Sequence, residues 1–187
     1  MIDPLSLPTP ESPTFHKQEF LLFCIMVAGK NSDVASKKLN LFLLDKPLEL
    51  SPFDYIKLAI KTCSFQKLLK NSKVGQYNRI EKCLKEVVKL DVETCSLKEL
   101  ENVFGIGPKT ARFFLSNTRK DYDCAVLDTH ILKWLNKNGV DAPKATPSGI
   151  LYLTLEKTYI RLVRSIYKGM TLPEIDTLIW SKESGRI

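Results

Sequence analysis

No two cysteines in this 187-residue chain are spaced as CxxC, and none lies beyond Cys124. The five present, Cys24, Cys63, Cys83, Cys95 and Cys124, form no pairable framework, which predicts free thiols and a reducing, cytoplasmic setting. There are two histidines, His16 and His130, too far apart to begin a zinc set. No basic segment followed by an apolar one opens the chain, and no apolar run reaches the roughly 18 residues of a membrane helix, so neither a signal peptide nor a membrane span is expected. Alternating polar and apolar residues, the mark of a half-buried strand, are also missing, which leaves an all-α fold class. There is no internal repeat.

What is present is a core and an excess of positive charge. A hydrophobic content of 44% suffices for one domain or two small lobes, and the net charge of +7 favours a polyanionic partner, though a solvated basic surface explains it as well. Residues 1–15 hold Pro4, Pro8, Pro10 and Pro13 and read as an extended arm. A buried, apolar helix is expected from His16 to Lys30, and Asn31 to Asp33 open a second. Ser51-Pro52 begins a third, Phe65 to Leu69 a short fourth, and Arg79 to Leu90 a fifth. Two capping boxes, Ser96-Leu97-Lys98-Glu99 and Thr171-Leu172-Pro173-Glu174, fix further helix starts, and Thr146-Pro147 begins a long helix to about Tyr167. The expected organisation is the arm, a helical lobe over 16–137 with a helix-hairpin-helix at 97–117, and a C-terminal helical lobe over 138–187 packed with the arm, with a cleft between the lobes.

The chain is organised around Gly105-Ile106-Gly107, a turn tight enough to call for glycine between two helices. Backbone amides at the start of the helix beginning at Pro108 carry partial positive charge and suit a phosphate oxygen, with Gly105, Ile106, Gly107 and Thr110 as the binding residues. A purely structural turn accounts for Gly-x-Gly about as well. Lys109 follows at once, in a first turn where the positive ends of the backbone disfavour an ammonium and release a nucleophilic amine. Such an amine can attack the sugar C1′ of a flipped nucleotide and hold the sugar as a Schiff base. Asp128, at the start of the next helix after Ala125-Val126-Leu127, is kept ionised by the helix amides and can stabilise an oxocarbenium-like sugar. Alone, Lys109 reads as a phosphate contact and Asp128 as an N-cap; their pairing is what points to chemistry.

Gly-Ile-Gly-Pro-Lys-Thr-Ala at 105–111 and Val-Leu-Asp-Thr-His-Ile at 126–131 are similar, nearly residue for residue, to the paired signatures of the helix-hairpin-helix DNA glycosylases. In that superfamily a lysine at the place of Lys109 marks the bifunctional glycosylase/AP lyases. The resemblance implies Lys109 and Asp128 as catalytic residues and no resident cofactor, since the four-cysteine iron–sulfur loop of endonuclease III relatives has no counterpart here. The hairpin could hold a monovalent cation through backbone carbonyls, as the family often does. Ala28 to Val34 and Gly75 to Asn78 resemble endonuclease III segments that enter the duplex, which implies Lys30 and Gln76 as wedge residues; both could equally be surface turn residues. For His130 a structural hydrogen bond is expected rather than catalysis.

Leu172 to Ile187 looks like the tail of the compact second-type 8-oxoguanine DNA glycosylases known mainly from archaea, which implies that Trp180 stacks on the damaged base. A core tryptophan is the competing reading. Two departures stand out: the chain ends at Ile187 shortly after Arg186, without that group's terminal lysine, and the proline-bearing arm replaces its N-terminal helix. The expected function is therefore a bifunctional DNA glycosylase/AP lyase, a monomer acting beside the nucleoid on duplex DNA with an oxidised base, 8-oxoguanine first. The same chemistry on an oxidised pyrimidine or another modified base, and a non-catalytic DNA-binding hairpin module, are the alternatives.

Overall fold

The computed structural model describes residues 7–120 and 122–185, and these form helices joined by turns, with no strand among the described residues. In chain order the helices are α1 (Thr14–Val27), α2 (Ser32–Phe42), α3 (Pro52–Lys61), α4 (Phe65–Asn71), α5 (Tyr77–Val87), α6 (Leu97–Asn102), α7 (Pro108–Thr118), α8 (Thr129–Lys137), α9 (Gly149–Ile166) and α10 (Leu172–Ser184). They fall into two units, one ending at Ile106 and one beginning at Gly107, so the division lies within the hairpin and earlier in the chain than 137/138.

In the first unit α1 is the central element: Phe20, Leu21, Leu22 and Ile25 have no exposed surface, and the helix packs on α2, α3 and α5. From Phe20 to Met26 the helix is buried all round, and one turn earlier it hides its one lysine too. Lys17 is 5% exposed and its ammonium reaches Glu93 at 2.6 Å, while Thr14 donates to the other oxygen of the same carboxylate at 2.8 Å. Such a pair holds because the carboxylate is in place, since a lone buried ammonium would cost several kcal/mol. The expected continuation of α1 to Lys30 stops at Val27: Ala28 already leaves the helix with ψ 112°, and Gly29 follows in the left-handed region at φ +71°. Asn31 then caps α2, accepting from the amides of Asp33 and Val34, and Ser51 caps α3 ahead of Pro52.

The second unit is built on Leu127, Ile131, Leu135, Tyr152, Tyr159, Val163, Ile175 and Ile179, with α8 packed on α10. Both expected capping boxes are formed: the amide of Ser96 donates to Glu99 at 2.8 Å and that of Thr171 to Glu174 at 2.8 Å. The long helix begins at Gly149 instead of Thr146-Pro147, because the Thr146 hydroxyl is engaged elsewhere, donating to the carbonyl of Leu127 at 3.0 Å. Of the N-terminal arm, residues 1–6 lie outside the described residues, and the rest contains a turn in which Ser12 N donates to Thr9 O. Arg186 and Ile187, where the expected departure from the family tail falls, also lie outside them.

Candidate active site

The hairpin joins α6 to α7, and its two glycines differ. Gly105 has φ +86°, the left-handed region where a side chain is strained, and a Cβ there would stand 3.4 Å from Arg79. Gly107 has φ −96° and ψ 174°, an extended conformation open to any residue, and a Cβ on it would meet nothing within 4 Å. The turn therefore needs glycine at 105 but not at 107, where both had been expected to be conformational. As the N-cap of α7, Gly107 supplies no side-chain acceptor, and Pro108 has no amide, so the amides of Lys109 and Thr110 enter the helix uncapped. Lys109 is half-buried in that first turn, and its ammonium makes no ion pair among the described residues.

One turn on, Arg112 faces inward and is 2% exposed. Its Nε donates to Glu156 Oε1 at 2.6 Å and its Nη1 to Pro108 O at 3.3 Å, and the same Glu156 oxygen accepts from the amide of Ala125 at 3.0 Å. Cys124 Sγ adds a contact to Arg112 O at 3.7 Å. The turn that carries Lys109 is thus fastened, through Arg112 and Glu156, to the segment leading to Asp128.

That segment is extended chain without a partner strand, so its backbone groups need other partners. Tyr152 Oη donates to Ala125 O at 2.8 Å and accepts from Leu127 N at 3.1 Å. Val126 N donates to Asp176 Oδ2 at 3.1 Å, Leu127 O accepts from Thr146, and Asp128 N closes on Val126 O at 2.8 Å. Asp128 then caps α8 with one oxygen only: Oδ1 accepts from His130 N at 2.9 Å and Ile131 N at 2.8 Å. Oδ2 has no partner among the described residues, so half of the carboxylate remains available.

Asp176 was not foreseen. It lies on α10 one turn before Trp180, accepts from Tyr159 Oη at 2.5 Å and from Val126 N, and its burial pushes its carboxyl up to about 7, with Asp128 and Glu156 adding to the rise. Burial with the Asp176 charge also raises the Tyr159 phenol. Spacing of four puts Trp180 on the same face of α10. Its ring meets that of His130 edge-on, centroids 6.0 Å apart, so besides the hydrogen bond its amide donates to Asp128, His130 makes a ring contact to Trp180. Asp128, His130, Asp176 and Trp180 form one constellation between α8 and α10.

Lys30 and Gln76 belong to the first unit and are brought together there. Lys30 Nζ donates to Val74 O at 2.6 Å; burial, with Lys38 and Arg79 nearby, holds this ammonium below the ordinary lysine range. Gln76 is exposed with φ 46° and ψ 42°. Among the described residues the two other non-glycine residues with positive φ, Cys63 and Lys73, follow α3 and α4, where a left-handed residue is an ordinary helix ending. Gln76 instead precedes α5, an N-cap position that normally takes extended backbone, and its side chain caps nothing. Arg79 holds it there: Nε donates to Gln76 Oε1 at 2.7 Å, Nη1 to Gly105 O at 3.1 Å and Nη2 to Ile25 O at 3.0 Å.

Among the described residues no helix is long and apolar enough to cross a membrane, and no group of three His, Cys, Asp or Glu is set to hold a metal. A family model described as 8-oxoguanine DNA glycosylase matches residues 12–167, a span with the hairpin, Lys109 and Asp128 but without Asp176 and Trp180. Of curated proteins, the 8-oxoguanine DNA glycosylase/AP lyase of Thermoplasma acidophilum is 31% identical over 170 residues, 89% of this chain and 79% of that protein. Its namesake from Sulfolobus acidocaldarius is 27% identical over 175 residues, 89% of this chain and 81% of that one. The match to that of Thermoplasma volcanium is 36% identical over 88 residues, 47% of this chain and 41% of that protein, so it spans less than half of it. The crystal structure of Methanocaldococcus jannaschii 8-oxoguanine glycosylase/lyase in complex with a 15mer DNA containing 8-oxoguanine is 24% identical, with TM-score 0.69 over 94% of this chain and 84% of that one, a likeness of fold. With the hairpin, the lysine and the capping aspartate all inside the matched span, the chain belongs to the 8-oxoguanine DNA glycosylase family.

Proposed function

We propose that this protein removes 8-oxoguanine from duplex DNA and then nicks the strand at the resulting sugar, with Lys109 as nucleophile. The observation that carries the reading is a lysine without an ion-pair or hydrogen-bond partner among the described residues, in an uncapped helix turn fastened through Arg112 and Glu156 to the segment that presents Asp128. A proton passed to the unengaged Oδ2 of Asp128 leaves the Lys109 amine free to attack C1′. The bond from C1′ to the base breaks, the base departs with the electron pair and takes up the proton that Asp128 had accepted, and the carboxylate so restored stabilises the positive sugar as it forms. Ring opening gives a Schiff base between Lys109 and C1′. Loss of a C2′ proton then expels the 3′ phosphate, and water releases the enzyme.

The remaining residues position the substrate. The amides of Gly107, Lys109 and Thr110 hold a phosphate at the start of α7 together with the Gly105-Ile106 turn, Trp180 stacks on the extruded base, and Gln76 with Lys30 props the duplex. The open space over Gly107 favours close approach of a sugar-phosphate backbone. A monovalent cation at the hairpin fits less well. Val103 O already accepts from Ile106 N and Gly105 O from Arg79, so neither carbonyl needs a cation to satisfy it. Every residue invoked lies on one chain, and a monomer suffices.

Borohydride trapping across a panel of lesion duplexes tests the proposal. A covalent adduct on 8-oxoguanine duplex is expected, lost in Lys109→Gln and reduced on the order of a hundredfold or more in Asp128→Asn. No trapping on any lesion, or full trapping by Lys109→Gln, overturns it; trapping only on an oxidised pyrimidine keeps the chemistry and changes the base.

A further inference from the structure

We propose that Tyr152 is a positioning residue whose hydroxyl sets the place of Asp128 for base excision; this rests on Asp128 acting as described above. Its Oη bridges two backbone groups on either side of Val126, donating to Ala125 O and accepting from Leu127 N. One hydroxyl thereby fixes the peptide step that ends at Asp128. Ala125, Leu127 and Tyr152 are all without exposed surface, so no water can replace the hydroxyl. The ring is itself held, with the Arg112 guanidinium 4.6 Å from its centroid and that guanidinium bonded to Glu156. Burial raises the phenol and keeps it protonated, as the bond it donates to Ala125 O requires.

Full burial excludes contact between Tyr152 and DNA, so any effect on catalysis passes through the segment it holds. Removing the hydroxyl strands a buried donor and a buried acceptor, and the chain from Ala125 to Asp128 must shift to satisfy them. A displacement approaching 1 Å at a reacting group costs on the order of a hundredfold in rate. Glu156 on Ala125 N, Asp176 on Val126 N and Thr146 on Leu127 O also hold the segment, but none of them reaches Ala125 O or Leu127 N, the two groups Tyr152 bridges.

The test is single-turnover excision of 8-oxoguanine by the full chain with Tyr152→Phe, Asp128→Asn and the double variant, beside duplex affinity and helix content. Tyr152→Phe is expected to slow excision roughly 10- to 100-fold with duplex affinity within about twofold, and to add less than about threefold once Asp128 is already Asn. Effects that multiply in the double variant, or a folded Tyr152→Phe at the wild-type rate, overturn the proposal. Should Tyr152→Phe not fold, Thr146→Val removes the bond to Leu127 O from a half-buried position and is expected to give the same non-additive pattern, about 3- to 10-fold in size; additivity there overturns it equally. Absence of excision by the wild type on every lesion is a different result, because it removes the glycosylase reading itself.

Discussion

Asp176 offers a test of the buried site that needs no substrate. Its carboxyl is held at about 7 in the fold against an ordinary 3.8, with burial the leading cause and Asp128 and Glu156 adding repulsion, while Tyr159 and the Val126 amide pull the other way. Between those two values the folded protein keeps a proton that the unfolded chain has released. Stability therefore falls as pH rises through this window, by about 1.4 kcal/mol per pH unit, and levels off above about pH 7. From about pH 5 to about pH 7 the loss is about 2–3 kcal/mol. Asp176→Asn keeps the size and an acceptor for Val126 N but cannot titrate. Urea unfolding of both proteins at several pH values gives the difference in stability between them, from which groups that titrate alike in both cancel. The wild type should gain on the variant by about 2–3 kcal/mol on acidification from about pH 7 to about pH 5. A pH-independent difference, or one that grows toward alkaline pH, refutes the buried, proton-holding carboxyl.

Other outcomes follow from the same geometry. Arg112→Ala leaves Glu156 buried without its cation and should cost about 3–5 kcal/mol in urea unfolding. Gly105→Ala, forced to φ +86°, should cost about 1–2 kcal/mol, whereas Gly107→Ala should leave the unfolding midpoint in place and weaken duplex binding in an anisotropy titration. Gln76→Gly should raise stability by about 1 kcal/mol by relieving the left-handed N-cap, yet lower excision from duplex DNA; equal activity in the more stable variant would mean that the strain serves nothing.

Local chemistry made much of this legible before any coordinates. Ser51-Pro52, Ser96 with Glu99, Thr171 with Glu174 and Asp128 all start helices where side-chain capping demands it, and each signal sits within four residues of the boundary it sets. Lys109 and Asp128 were readable for a related reason, being tied to the two helix starts. The residues that hold them were not. Arg112, Tyr152, Glu156, Tyr159 and Asp176 act across 12 to 50 positions of sequence, and nothing local distinguishes them from ordinary helix residues. A faint signal existed for two of them: Arg112 and Glu156 recur with the buried apolar positions of their helices, where a charge is rarely left unless it is paired. Arg79 was hidden likewise, its partners lying 26 and 54 positions away. The arm and the start of the long helix show the limit of proline as a signal, since Pro147 fits a first turn but Thr146 is held by Leu127.

The chain has two tryptophans, and their surroundings differ enough for each to be heard separately. Trp134 is buried edge-on to Tyr159, centroids 5.6 Å apart, while Trp180 is half-exposed against His130. The first should emit from an apolar setting at short wavelength. The second should emit further to the red. An aromatic base arriving on Trp180 would darken that signal and leave the other as an internal standard, so the unlabelled protein carries its own optical gauge of site occupancy.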